Sequence, residues 1–255
     1  MKRVLTALAL IPIVAWVVLW ANPWIFLAVL MAVACLCYRE YNDIAAGYGF
    51  GAPGLVGYGA GLLLLMAADV PWLAFVGLAI AALMLVMRDE DLGHSLPRAA
   101  MLITGVVYVF GCWKCARPLR EANAHWLMYG LMLNWVGDIG AYYVGRPFGR
   151  HKLAARVSPK KSWEGSAASV AVSAAVGTLY LQRFVPAVPL WHAVALTVVA
   201  NAAGQLGDLA ESAMKRGAGV KDSGAILPGH GGFLDRVDST LFALPVIYGY
   251  LMVVG

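Results

Sequence analysis

Charged residues are scarce in this sequence. Asp, Glu, Lys and Arg make up 13% of the 255 residues, whereas a soluble globular domain carries about 25%. Apolar residues make up 61%, and they recur in long runs along the chain. This composition argues against a soluble domain and predicts a polytopic membrane protein, because runs of that kind are what crosses a bilayer.

The strict alternation of apolar and polar residues that marks a transmembrane barrel is also absent. A bilayer requires each spanning segment to satisfy its own backbone hydrogen bonds, so helices are expected. We therefore predict an all-α fold with about nine transmembrane helices and a cytoplasmic N-terminus. The predicted spans are 4–20, 24–38, 55–68, 72–87, 99–115, 126–145, 165–182, 191–211 and 238–254.

Cysteine is rare, with four residues in the chain. Cys35 and Cys37 lie in an apolar run and are expected to be small core residues. Cys112 and Cys115 have the spacing of a redox dithiol, but no thioredoxin-like βαβ context surrounds them, which argues against redox chemistry. The N-terminus resembles a signal peptide without a small-x-small cleavage site, so an uncleaved first helix is expected.

The net charge of +5 comes from cations in short loops between apolar runs. This distribution indicates membrane topology and not nucleic-acid binding. With a cytoplasmic N-terminus, fifteen of the 19 cations face the cytoplasm, and four face the outside: Lys114, Arg117, Arg120 and Arg183. We therefore predict a multi-pass protein of the cell (cytoplasmic) membrane with an inside N-terminus and an outside C-terminus.

Two regions follow from this topology. Residues 1–98 form N-terminal hydrophobic helices with about four spans, and residues 99–255 form a catalytic region with about five spans. The cytoplasmic loops 146–164 and 212–237 lie on the same side as the end of the sixth span. We expect these parts to build one site that faces cytosolic solutes and the headgroups of the inner leaflet.

Asp138 lies inside an apolar span. An intramembrane carboxylate is costly unless it is paired or faces a polar cavity, so it is a functional candidate, with a structural arginine pair as the alternative. The basic loop that follows could simply anchor the topology. However, Pro159 fixes a turn, and Ser158 or Ser162 could cap a helix beside Lys160 and Lys161. A helix N-terminus next to lysines predicts a phosphate site.

The end of the eighth span carries a polar stripe. Asp208, Glu211, Ser212 and Lys215 fall on one helical face. They could be solvated charges at a helix end, but the polar loop that follows favours a role in ligand binding.

The loop 217–237 is rich in glycine, which permits close approach of backbone amides to a ligand. Asp235 and Asp238 are three residues apart, with Arg236 between them. Carboxylates without thiols suit Mg²⁺, while lysines, an arginine and bare amides suit phosphates. Metal and phosphate sites together are typical of phosphoryl or nucleotidyl transfer. The alternative is a polar re-entrant loop with a structural role.

Several segments resemble a known family. Ser212-Ala-Met-Lys-Arg216, Lys221-Asp222 and Pro228-Gly-His-Gly-Gly-Phe-Leu-Asp-Arg-Val-Asp238 together resemble the signature of phosphatidate cytidylyltransferases, also called CDP-diacylglycerol synthases. Asp138-Ile-Gly-Ala-Tyr142, Phe148-Gly-Arg-His-Lys152 and Ser158-Pro-Lys-Lys-Ser-Trp-Glu-Gly165 are similar to further family segments. The resemblance covers about residues 98–255. Ser162 stands where threonine is usual, and Ala167 and Ala168 stand near positions that are often glycine.

The resemblance implies transfer of CMP from CTP to phosphatidic acid of the inner leaflet, with Mg²⁺, for phospholipid biosynthesis; a second cation is left open. It also implies a homodimer. The expected catalytic residues are Asp208, Asp235, Lys221, Asp222, His230 and Arg236. The expected substrate-binding residues are Ser158, Lys160, Lys161, Ser162, Ser212, Lys215, Arg216, Gly231 and Gly232. The expected metal ligands are Asp208, Asp235, Asp138 and Asp238.

Two other functions compete with this hypothesis. A secondary transporter could use Asp138 and Asp208 as cation sites, but the sequence has no matching halves and its acids cluster on one side of the membrane. Another metal-dependent lipid phosphotransferase, such as a CDP-alcohol phosphotransferase, also uses grouped aspartates. The DGxxAR arrangement expected there is missing.

Overall fold

A computed structural model describes residues 2–50, 54–69, 71–88, 91–226 and 231–254, with side chains described from residue 10 onward. Helices dominate these ranges. They are α1 (Lys2–Leu19), α2 (Pro23–Ala46), α3 (Gly54–Met66), α4 (Trp72–Val86), α5 (Ser95–Gly105), α6 (Cys112–Lys114), α7 (Ala116–Ala122), α8 (Ala124–Phe148), α9 (Trp163–Phe184), α10 (Leu190–Gly217) and α11 (Leu234–Val254). A 3₁₀ turn and a π-helical segment, Val106–Gly111, join residues 92–122 into one long helical stretch.

The predicted helical membrane protein is confirmed, and helix covers each of the nine predicted spans over the residues that the structure describes. Among the described residues, four stretches are long and apolar enough to cross a membrane: Pro23–Ala46, Leu92–Ala122, Leu190–Gly217 and Leu234–Val254. A count of nine transmembrane helices stays a prediction. Helices α2 and α10 run past the predicted spans because each continues into a polar end that is not apolar enough to be counted as a membrane span.

One element is not helical. Strands β1 (Lys152–Ala154) and β2 (Ser158–Ser162) form an antiparallel hairpin in the basic loop, with Lys152 opposite Ser162 and Ala154 opposite Ser158. The sequence analysis expected only a turn before the helix at this point. The strands are short and polar, so no apolar periodicity marks them, and Pro159 falls within β2, where only one other strand is present to pair with it.

The last four long helices form the part of the fold that positions the site. Helix α8 packs along α9, α9 along α10 and α10 along α11. Small residues allow the closest approach: a Cβ atom on Gly145 would lie 3.2 Å from the Cα atom of Gly165. Such contacts between small residues are typical of helix packing in membranes, where the surrounding lipid supplies no hydrophobic drive for association.

The outer surface of the helical bundle is apolar. Large side chains that point outward include Trp20, Trp24, Leu55, Trp72 and Val253, which are between 71% and 86% exposed. A water-soluble protein rarely exposes such large contiguous apolar surfaces. These side chains therefore face lipid, as expected for a multi-pass membrane protein.

Candidate active site

A polar cavity of about 670 Å³ opens between the hairpin and helices α8, α9 and α10. Its wall carries four cations, Arg146, Lys152, Lys160 and Lys161, and two carboxylates, Asp138 and Asp208. The cations come from the end of α8 and from the hairpin, while the carboxylates come from α8 and α10. A cavity with clustered cations inside an apolar bundle is suited to an anionic ligand.

Lys161 and Asp208 join two walls of this cavity. The Lys161 ammonium group forms an ion pair with Asp208, and the Ser212 hydroxyl donates a hydrogen bond to the other Asp208 oxygen (3.3 Å). Both charged side chains are a little over one quarter exposed. The predicted basic loop and the predicted stripe on the eighth span therefore meet in space.

Amides and hydroxyls line the inner end of the cavity. Asn201 donates hydrogen bonds to Ser169 (3.1 Å) and Ser173 (2.9 Å), and Gln205 donates one to Asn201 (2.7 Å). Ser166 in turn donates to Gln205. These groups satisfy one another across α9 and α10, so a polar cavity can be kept within the bundle at little cost in unpaired polar atoms.

A second cavity of about 610 Å³ adjoins the first. The two cavities share Asn134, Asp138, Asp208 and Ser239. One side of the second cavity is apolar, with walls from α1 and α2, whereas the opposite side carries charged residues of α10, α11 and the preceding loop. Its apolar lining includes Leu10, Val14, Val17, Phe26, Leu30 and Val33, and its charged lining includes Lys215, Asp222, Asp235, Arg236 and Asp238.

Lys215, near the end of α10, stands between a carboxylate of α10 and a carboxylate at the start of α11. It forms ion pairs with Glu211, one turn earlier on α10, and with Asp235. Glu211 is fully buried, and its contact with Lys215 lacks hydrogen-bond geometry. Buried charges of this kind are stable only as a set, so removal of one member leaves the others unpaired.

Asp235 holds the glycine-rich loop. One of its carboxylate oxygens accepts hydrogen bonds from the amides of Ser223 (3.0 Å) and Gly232 (2.8 Å), and the other pairs with Lys215. Gly231 has φ of +77°, a conformation that favours glycine. Both Asp235 oxygens are therefore occupied by partners within the protein.

Several carboxylates at the two cavities could serve as ligands for Mg²⁺. Among the residues that the structure describes, no three His, Cys, Asp or Glu side chains converge as a metal site. Mg²⁺ commonly takes only one or two carboxylates, with water and substrate phosphates completing its shell. Asp138, Asp208 and Asp238 lie close enough to interact electrostatically, and their hard oxygen donors fit such a site. Asp235 fits less well, because its oxygens are already used.

The remaining predicted residues differ in how close they lie to the site. Ser212 contacts Asp208, and Gly232 contacts Asp235, so both lie at the site. Ser162 lines the polar cavity and also caps α9, with its hydroxyl accepting a hydrogen bond from the Gly165 amide (3.2 Å). Arg216 donates a hydrogen bond to the Val220 carbonyl and lines neither cavity.

Ser158 lies at the start of β2 and outside both linings, and Lys221 is exposed in the loop that follows α10. Asp222 and Arg236 border the second cavity, and Gly231 lies beside Asp222. His230 lies outside the described residues.

Another carboxylate, Glu164, joins the start of α9 to the residue before the hairpin. Glu164, which precedes the predicted span 165–182, accepts hydrogen bonds from the His151 ring (2.6 Å) and from the His151 amide (3.2 Å). Hydrogen bonds from its own main-chain amide and from the His151 side chain lower the pKa of Glu164 to about 2. The start of α9 is thereby tied to the start of the hairpin.

The sequence analysis missed several residues that the structure places at the site. Glu40 of α2 contacts the glycine-rich loop, and Arg146, Lys152 and Asn134 line the polar cavity. Glu40 had a weaker signal than Asp138, because it lies beside Arg39 and Asp43 at the polar end of an apolar run. Asn134 had none, because a single amide in a helix does not indicate which side of the bundle it faces.

The fold and the site define a class: a multi-helix membrane protein whose last four long helices enclose a polar site for anionic substrates. A sequence model of the cytidylyltransferase family matches residues 1–254, and the chain belongs to this family. The match also extends over the first 98 residues, which the sequence analysis could describe only as hydrophobic spans. Membership makes the protein a nucleotidyltransferase.

Curated relatives are named phosphatidate cytidylyltransferase. One from Staphylococcus saprophyticus subsp. saprophyticus is 41% identical over 150 residues, which is 58% of this chain and 57% of that protein. One from Staphylococcus aureus (strain COL) is 36% identical over 211 residues, covering 76% of this chain and 77% of its own length. One from Staphylococcus epidermidis (strain ATCC 12228 / FDA PCI 1200) is 37% identical over 202 residues, with the same coverage.

Proposed function

We propose that the protein transfers CMP from CTP to phosphatidic acid, giving CDP-diacylglycerol and pyrophosphate. The proposal rests mainly on the two adjoining cavities, which share Asp138 and Asp208. The first is lined by cations and suits a triphosphate. The second has an apolar wall and suits a lipid whose phosphate must reach the first. The family membership and the names of the relatives support the same reaction.

In this reaction an oxygen of the lipid phosphate attacks the α-phosphorus of CTP. A new phosphorus–oxygen bond forms, the bond to the β-phosphate bridging oxygen breaks, and pyrophosphate leaves with that electron pair. A phosphate monoester has a second pKa of about 6, so the nucleophile is already largely ionised at neutral pH. The protein's main task is to neutralise charge and to align the two phosphates.

The residues of the polar cavity are placed for that task. Lys160, Lys161, Arg146 and Lys152 would bind the triphosphate, and Arg236 and Lys215 border the cavity proposed for the lipid. The Lys161 ammonium group now on Asp208 would turn to a phosphate when CTP binds, which frees the Asp208 oxygen.

Asp138, Asp208 and Asp238 would hold Mg²⁺. Bound there, Mg²⁺ supplies positive charge to the phosphate oxygens of CTP. Asp235 has a different role in this proposal: it fixes Lys215 and the loop amides of Ser223 and Gly232.

The site would face the cytoplasm and the inner leaflet of the cell membrane. The cation distribution of the sequence supports this orientation, because the loop 146–164 carries six of the cations assigned to the cytoplasm, from Arg146 to Lys161. A homodimer is part of the same proposal and is supported by the family resemblance alone.

A labelling assay tests the reaction. Purified protein, phosphatidic acid and Mg²⁺ should transfer label to lipid from CTP labelled at the α-phosphate, and release labelled pyrophosphate from CTP labelled at the γ-phosphate. Diacylglycerol in place of phosphatidic acid is the matched control and should accept no label. A transporter would give no labelled lipid, and a CDP-alcohol phosphotransferase would consume CDP-diacylglycerol instead of producing it; either result would refute the proposal.

A further inference from the structure

A carboxylate from the N-terminal half of the chain reaches the active-site loop. Glu40 lies near the end of α2 and is only 1% exposed. A buried acid needs strong partners to be tolerated. Its partners are not on neighbouring N-terminal helices but on the glycine-rich loop and the start of α11.

Three hydrogen bonds meet at Glu40. The Ser223 hydroxyl donates to one carboxylate oxygen (2.6 Å), and the Leu234 amide donates to the same oxygen (2.7 Å). The Phe233 amide donates to the other oxygen (2.8 Å). Hydrogen bonds to an ionised acceptor are shorter and stronger than neutral ones.

These partners lie in two parts of the loop. Ser223 lies in its first half, whereas the Phe233 and Leu234 amides lie where α11 begins. Such amides have no partner within their own helix, and a negative charge there is favoured by the helix dipole. Glu40 therefore caps α11 from another helix and ties the entry of the loop to its exit.

The loop is shaped to admit this carboxylate. A Cβ atom on Gly224 would lie 2.6 Å from a Glu40 oxygen, so only glycine leaves the necessary space. A side chain on Gly232 would also collide with Glu40 and Ser223. The close approach of backbone to carboxylate explains why glycine is needed at these two positions.

The same loop ends are held by Asp235. The Ser223 and Gly232 amides donate to one of its oxygens, and the Asp235 amide donates to the Ser223 hydroxyl (3.3 Å). Ser223 is thus shared by Glu40 and Asp235. Because Asp235 also pairs with Lys215, the position of Glu40 is linked through the loop to the charged wall of the second cavity.

We propose that Glu40 is a positioning residue of the active site, which sets Ser223 and the first turn of α11 so that Arg236 and Asp238 face the cavity that receives the reacting phosphates. This role rests on the proposed function, since it assigns Glu40 to the same site. Glu40 itself lines neither of the two cavities.

Glu40→Gln tests the proposal with little change in shape. In the wild-type protein both Glu40 oxygens accept main-chain N–H groups. The glutamine side chain has one oxygen and one NH₂ group, so in either orientation its NH₂ group would face a main-chain N–H donor. The matched control is Asp43→Asn, which removes an exposed carboxylate from the same end of α2.

Hydrogen–deuterium exchange gives a readout that does not depend on the reaction. We expect faster exchange of the amides of Ser223, Phe233 and Leu234 in Glu40→Gln and no change in Asp43→Asn. In the labelling assay we expect kcat to fall about ten- to hundredfold, as for other groups that orient site residues, while the thermal unfolding midpoint changes little. The Michaelis constant for CTP should change less than kcat, because the triphosphate cavity is built by other elements.

Ser223→Ala supplies a second test, which remains useful if Glu40→Gln does not accumulate. It should lower kcat in the same direction by a smaller factor, and the double variant should lose less than the product of the two single losses, because both act through one contact. Unchanged exchange in Glu40→Gln, or faster exchange with normal kcat, would overturn the positioning role. An inactive wild-type protein would refute the proposed function, while the exchange result would still decide whether Glu40 holds the loop.

Discussion

Lys161 and Asp208 form an ion pair across the polar cavity, which links strand β2 of the hairpin to α10. The pair places a cation from the basic loop directly over a carboxylate proposed to bind metal. In the absence of substrate each charge satisfies the other, and a triphosphate with its metal could replace both partners at once.

Lys161→Ala should raise the Michaelis constant of the enzyme for CTP, on the order of tenfold, because one charged hydrogen bond to phosphate is lost. Steady-state assays at varied CTP would measure the change. Arg156→Ala is the control, since Arg156 is exposed at the hairpin turn and lines neither cavity. Equal losses in the two variants would mean that the loop serves only as a basic anchor.

Asp208→Asn and Asp235→Asn should each lower activity about a hundredfold, but for different reasons. Asp208→Asn removes a proposed metal ligand and should shift the Mg²⁺ dependence to higher concentration. Asp235→Asn breaks the contacts with Lys215 and the loop and should leave that dependence nearly unchanged. Mg²⁺ titrations of both variants would separate the roles; a shift confined to Asp235→Asn would reverse the assignment.

Ser162→Ala should lower the stability of the protein by about 1 kcal/mol, because it removes the cap of α9. Ser162→Thr keeps a hydroxyl at the cap and should be nearly neutral. Thermal unfolding in detergent would compare the two. A raised Michaelis constant for CTP in Ser162→Ala with an unchanged unfolding midpoint would instead support the substrate-binding role expected from the sequence.

Position 155 should be accessible from the cytoplasm. Ala155 is exposed at the hairpin turn, so Ala155→Cys in a background without the native cysteines should react with a membrane-impermeant thiol reagent only after the cells are opened. Glu121→Cys, exposed at the end of α7, should react in intact cells and serves as the opposite control. The reverse result at both positions would invert the topology and place the site outside.

The sequence predicted the membrane fold well because the bilayer leaves few alternatives to helices. Asp138 was found for the same reason: a carboxylate in an apolar run needs a polar environment. The hairpin was missed because its strands contain mostly polar residues and have no buried face to produce a periodicity. The pairings of Lys161 with Asp208 and of Glu40 with Ser223 depend on how distant helices pack, and no local pattern carries that information.

The contacts of Glu40 also have a consequence for how the enzyme is made. Glu40 and Leu234 are 194 positions apart in the chain, and contacts between such distant residues form late because a long loop must close first. Helix α2 enters the membrane early in synthesis, but its carboxylate finds its partners only when the start of α11 has been synthesised. A nascent chain therefore carries the basic hairpin and most of the polar cavity for some time before α11 supplies Ser239 to the cavity and the Leu234 amide to Glu40.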